Sequence, residues 1–146
     1  MMNNSPTPLE MALSKPASDP RHLHILVAED NTINQRLISL MLTKMGHTVD
    51  IVENGALAVD AIGKSHYDIA FIDMQMPVIG GLEAAAEICR RYPIDSRPPL
   101  VALTANTVVG DREKCLAAGM DGYLSKPLRA ASLAETLLQL LPPSGT

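Results

Sequence analysis

The chain has 146 residues, 47% of them hydrophobic and only 3% aromatic, so one core packed from Ile, Leu, Val, Met and Ala is expected rather than disorder. A formal net charge of −4, from 12 basic and 16 acidic residues with the arginines scattered, argues against direct binding of nucleic acid. No apolar run is long enough to cross a bilayer and no signal-peptide pattern opens the sequence, so a cytoplasmic protein without membrane contact is expected.

Residues 1–21 are rich in Pro, Ser and Asn without hydrophobic periodicity, which predicts a flexible lead-in or interdomain linker. The folded unit is expected over 22–141. It opens with His24–Ala28, a nearly continuous apolar run of the kind buried on both faces of a sheet. Ile33, Leu37, Leu40, Met41 and Met45 then recur at helical spacing, and Gly46 supplies a stop. Thr48–Val52 is a second strand, rich in β-branched residues. Asn54 can cap a helix through Leu57, Ala61 and Ile62. Ile69–Asp73 is the third strand and Leu82–Tyr92 the third helix. Leu100–Thr104 is the fourth strand, followed by a helix ending near Gly119. Gly122–Ser125 is the fifth strand, and Leu133, Leu137, Leu140 and Leu141 mark the buried stripe of a last helix. The prolines of 142–146 end that helix in a short tail. Five strands alternating with five helices predict an α/β fold, a doubly wound parallel sheet covered on both faces.

Ligands of such sheets gather beyond the carboxyl ends of the strands, and here those ends carry related chemistry. Strand one runs into Glu29 and Asp30, strand three ends on Asp73, strand four on Thr104, and strand five leads into Lys126 and Pro127. Three carboxylates, a hydroxyl and an ammonium would therefore meet at one edge. Crowded carboxylates repel unless a cation intervenes, and oxygen donors without His or Cys point to magnesium. A carboxylate beside magnesium and a lysine is equipped to attack phosphorus. Taken singly, each residue has a plainer role: Asp73 and Thr104 as helix caps, Glu29 and Asp30 as an acidic first turn, Lys126 as a surface charge. Four strand ends bearing complementary chemistry make those plain roles a poor joint explanation.

The stretches Leu26–Asn31, Ile72-Asp73-Met74-Gln75-Met76-Pro77, Ala102–Ala105 and Asp121–Pro127 resemble the receiver domain of two-component response regulators, over Leu23 to Leu141. The resemblance implies a flavodoxin-like five-stranded fold of strand order 2-1-3-4-5 and a phosphoacceptor module, not a turnover enzyme. It implies Asp73 as the phosphorylated residue, and magnesium held by Asp30, Asp73 and the Gln75 carbonyl, with Glu29 acting through water or directly. Lys126 would contact the phosphoryl group, and the Lys126–Pro127 bond would be cis. Thr104 and Tyr123 would form the switch pair, read on the face of the fourth helix, fifth strand and fifth helix by a downstream protein or a second copy. Implied donors are a sensor histidine kinase or a histidine phosphotransfer domain.

Two departures stand out: Gly80 where the family commonly has Asp, expected to loosen that loop, and Glu29 for the more usual Asp. The second, with Asn31 and Asn34, resembles receivers of hybrid sensor kinases. A haloacid-dehalogenase-type phosphatase would need a second Asp where Gln75 stands. A nucleotide-binding protein would need a glycine-rich loop where Glu29 and Asp30 stand, and a silent interaction module would lack part of the acid–lysine set. Cys89 and Cys115 lack C-x-x-C spacing and read as free thiols acting as small core residues, in a reducing compartment. His22, His24 and His66 read as surface or strand-end residues, and Gly80-Gly81 as a turn.

Overall fold

The computed structural model describes residues 21–76, 78–105 and 111–141; the expected lead-in before Arg21, the tail 142–146 and Pro77 lie outside them. Five strands, β1 (His24–Ala28), β2 (Thr48–Val52), β3 (Ile69–Asp73), β4 (Leu100–Thr104) and β5 (Gly122–Ser125), alternate with five helices. The helices are α1 (Thr32–Lys44), α2 (Gly55–Lys64), α3 (Gly81–Arg91), α4 (Asp111–Ala117) and α5 (Ala130–Leu140). Every strand pair is parallel, in the order β2-β1-β3-β4-β5. This is the flavodoxin-like doubly wound sheet.

Alternation along the central strands divides the core into two layers. Val27, Phe71 and Leu103 point to the side covered by α1 and α5. Leu26, Ile72 and Ala102 point to the other side, with Ala58 of α2, Ile88 of α3 and Cys115 of α4. Local signals start and stop the helices. Asn31 Oδ1 accepts from Asn34 N at 3.0 Å, and Asn54 Oδ1 accepts from Leu57 N at 2.9 Å. Past α4, Gly119 takes φ +97° while Met120 N donates to Cys115 O, a left-handed stop that favours glycine.

Three details differ from the sequence reading. The third helix starts at Gly81 and ends at Arg91, with Gly80 and Tyr92 as its caps, so Gly80-Gly81 opens a helix rather than forming a turn. Met41 of α1 and Met45 at its C-cap are buried, but their companions are Ile38 and Leu42, whereas Ile33 is 73%, Leu37 37% and Leu40 49% exposed. Cys115 is a core residue, while Cys89 is only half-buried, and neither is in a disulfide among the described residues.

Candidate functional site

The carboxyl ends of β1, β3 and β5 build one acidic cleft. Past Ala28, Glu29 N still donates to Val52 O at 3.0 Å, which holds the next residues at the sheet edge. Glu29 turns inward and is 1% exposed; Asp30 points to the mouth of the cleft and is exposed. Asp73, the last residue of the central strand, is 5% exposed. Lys126 reaches in from beyond β5, where its N–H donates to Thr104 O at 2.7 Å and the Lys126–Pro127 bond is cis.

The ammonium of Lys126 donates to Glu29 Oε1 at 2.9 Å and to Asp73 Oδ2 at 3.0 Å. The remaining oxygens accept backbone N–H groups: Glu29 Oε2 from Asn31 at 3.1 Å and Asp73 Oδ1 from Gln75 at 3.1 Å. One carboxylate oxygen each from Glu29, Asp30 and Asp73 lies within 4.8 Å of the others, the single such acidic, His or Cys group among the described residues. Burial pushes the Glu29 carboxyl above its ordinary value, and the neighbouring Asp73 adds to this while Lys126 opposes it. Burial pulls the Lys126 ammonium down, but Glu29 and Asp73 outweigh it and its pKa is raised. Three carboxylates, only Glu29 and Asp73 of them bound by the one ammonium, leave the cleft, about 510 Å³ in volume, with an excess of negative charge on oxygen donors. Such a donor set suits a hard divalent cation.

Glu29, Asp30, Asp73, Gln75 and Lys126 all line this cleft. Thr104 ends β4 and is 5% exposed, but the wall of the cleft beside it is Ala105. Tyr123 does not end its strand: it lies two residues before Ser125, pairs in register with Ala102, and is 37% exposed. It lines a separate hollow of about 490 Å³ with Arg129 and Ser132, and Lys126 lines both hollows. His22, His24 and His66 stand clear of the cleft, engaged with Thr48, Asp50 and Asp68. The sequence reading missed Gln35, whose Nε2 donates to Glu29 O at 2.6 Å. Its place six residues after Glu29, one turn into a capped helix, was the available signal.

The glycines at α3 set its distance from the acceptor strand. A Cβ on Gly81 would lie 2.6 Å from Asp73 O, so only glycine lets the helix start there. Gly80 takes ordinary backbone angles (φ −74°) as the N-cap and supplies no side-chain cap. Gly80→Asp is therefore expected to stabilise the fold by about 0.3–0.8 kcal/mol, by capping α3 against some repulsion from Glu83. Urea denaturation of both proteins checks the sign.

A flavodoxin-like sheet with an acidic cluster and a lysine at its carboxyl edge defines a receiver-type module. The chain belongs to the response regulator receiver domain family, whose model matches residues 25–138. It is 40% identical over 115 residues to the aerobic respiration control sensor protein ArcB of Escherichia coli K12, covering 79% of this chain and 15% of that protein. Among solved structures it is similar to the receiver domain of the sensor histidine kinase PA1611 from Pseudomonas aeruginosa, which has a magnesium ion coordinated in its active site cleft. That match has 39% identity and TM-score 0.76, and covers 84% of this chain and 100% of the other. A co-crystal structure of the Saccharomyces cerevisiae histidine phosphotransfer protein Ypd1 with the receiver domain of its downstream response regulator Ssk1 matches at 29% identity and TM-score 0.72. It covers 84% of this chain and 94% of that one. No described helix is long and apolar enough to cross a membrane.

Proposed function

We propose that this chain takes a phosphoryl group from a phosphohistidine onto Asp73, as one step of a two-component relay of the hybrid histidine kinase kind. The observation that supports this most is the Asp73 carboxylate, buried at the cleft floor and bound by Lys126 at 3.0 Å beside Glu29 and Asp30. In the transfer an Asp73 oxygen attacks phosphorus, the P–N bond breaks, and its electron pair returns to the imidazole nitrogen of the donor. Asp30, Asp73 and the Gln75 carbonyl, with Glu29 through water or directly, would hold magnesium, which would supply positive charge for the phosphoryl oxygens. Lys126 keeps Asp73 oriented and offers its ammonium to the incoming group. Gln75 gives the cleft an amide where a phosphatase of the aspartyl-phosphate type needs an acid–base carboxylate, so the phosphoryl group is stored rather than turned over.

Thr104 then draws toward the phosphoryl oxygens by a charge-assisted hydrogen bond, and Tyr123 turns inward from its half-exposed position. The face of α4, β5 and α5 reports the change to a downstream protein or a second copy. The receiver unit is taken as 22–141, between the linker and the short tail.

The donor has to rest beside the cleft, and α1 offers the surface. Its first residue, Thr32, lines the cleft, and Ile33, Leu37 and Leu40 continue from it as an exposed apolar stripe at helical spacing. Such a stripe suits a helix of a histidine phosphotransfer protein or a sensor kinase. The test is transfer of label from a phosphorylated histidine phosphotransfer protein, compared with labelling by acetyl phosphate, both with magnesium. The wild-type chain is expected to accept from both. Leu37→Glu is expected to slow the protein donor about tenfold or more and leave acetyl phosphate labelling unchanged. A wild-type chain that accepts from neither donor overturns the reading.

A further inference from the structure

We propose that Gln35 is a positioning residue of the magnesium site, acting through the backbone of the acidic pair; this rests on the magnesium reading given above. The β1 ladder ends where Glu29 N donates to Val52 O, and the next backbone oxygen, Glu29 O, is taken by a side chain instead. That side chain is Gln35, whose amide nitrogen lies 2.6 Å away, just under the usual range for an N–H···O bond. The peptide carrying this oxygen joins Glu29 to Asp30. Pinning it restrains the two torsions that send Glu29 inward and Asp30 outward to the mouth of the cleft.

Gln35 is itself held in place. Its N–H donates to Asn31 O at 2.9 Å in the first turn of α1, and Asn31 N donates to Glu29 Oε2 at 3.1 Å. Asn31 Oδ1 closes the turn by accepting from Asn34 N. The start of α1 thus grips Glu29 at both ends: at the carboxylate through Asn31 and at the carbonyl through Gln35. The acceptor is a carbonyl, so the side chain has to donate. Methionine, of similar length, cannot; glutamate, of nearly the same shape, presents an oxygen to an oxygen. A cation held by several carboxylates at once loses affinity when the peptide between two of them is free to turn. The phosphoryl transfer itself, once the cation is bound, does not involve Gln35.

The test uses the 146-residue chain and its Gln35→Met and Gln35→Glu variants. Magnesium chloride is titrated with two readouts: the rise in melting temperature, and the initial rate of Asp73 labelling by acetyl phosphate. In both variants the half-saturating magnesium concentration is expected to rise about tenfold in both readouts, while the labelling rate at saturating magnesium stays within about twofold of wild type. A residue that merely supports the helix would lower the melting temperature in EDTA and leave the half-saturation point where it was. That outcome overturns the proposal, as does a lower saturating rate with an unmoved half-point. Failure of both variants to fold overturns it too, because Gln35 then serves the fold. A wild-type chain with no magnesium response in either readout removes the underlying metal reading, a result distinct from failure of the variants alone.

Discussion

Asp73→Asn is expected to stay folded and to take up no phosphoryl group from acetyl phosphate in the presence of magnesium. The swap preserves shape at a site only 5% exposed, so no cavity opens. It changes the hydrogen bonding. Both carboxylate oxygens of Asp73 accept, from Gln75 N and from Lys126 Nζ, whereas an asparagine has one oxygen and would turn its amide nitrogen toward one of those donors. That mismatch costs about 1–3 kcal/mol. Against it, a negative charge leaves a cluster of three carboxylates, and one of the influences that push Glu29 up is gone. The two effects oppose each other, so stability is expected to change little. The chemistry does not survive, because a neutral amide offers no anionic oxygen to attack phosphorus. Intact-protein mass spectrometry should show one added phosphoryl group on the wild-type chain and none on the variant. Undiminished labelling of Asp73→Asn would place the acceptor elsewhere.

The three inner strands β1, β3 and β4 were legible as short apolar runs bounded by polar or turn residues and β2 by its β-branched residues, and all five strands fall where the sequence places them. The cleft was legible for a related reason: a parallel sheet brings the carboxyl ends of its strands to one edge, so Glu29, Asp30, Asp73 and Lys126 converge whatever their separation in sequence. Side-chain phase on α1 was not. Ile33, Leu37 and Leu40 share one helical stripe and Ile38, Met41, Leu42 and Met45 share another, and both are apolar. Periodicity identifies the helix, but only the packing against β1 and α5 decides which stripe is covered. The exposed one is where a donor is proposed to rest. Gln35 was hidden for a different reason: its role lies in a side-chain bond to a backbone oxygen six residues earlier, which residue type alone does not encode.

Lys126→Met is expected to be strongly destabilising without magnesium and to be largely rescued by it. The ammonium is the cation held between Glu29 and Asp73, whose side chains are 1% and 7% exposed. Removing it leaves two close, buried carboxylates without their shared counter-charge. Breaking a fully buried ion pair costs about 3–5 kcal/mol, and because the Lys126 side chain is 18% exposed a loss of about 2–3 kcal/mol is expected here. Acidity should reduce the loss. The folded-state pKa of Glu29 already lies above its unfolded value of 4.5, so the folded state holds more protons between the two, and stability rises as pH falls through the folded value toward 4.5. Lys126 is one of the influences holding that pKa down, so its removal widens the window and the variant gains more on acidification than the wild type. The deficit in EDTA should therefore be greatest near neutral pH and shrink as pH falls toward 4.5. Bound magnesium supplies positive charge to the same carboxylates, in the folded state only, and so raises the melting temperature by mass action. With no ammonium sharing Glu29 and Asp73, the rise should be larger in the variant than in the wild type. Labelling by acetyl phosphate should nevertheless stay slow at saturating magnesium, because the cation replaces the charge of Lys126 but not its donor to the phosphoryl group. Urea unfolding in EDTA and in magnesium, each at neutral pH and near pH 5, separates these effects. Equal stability of the two proteins in EDTA at neutral pH would mean that Lys126 does not neutralise this cluster.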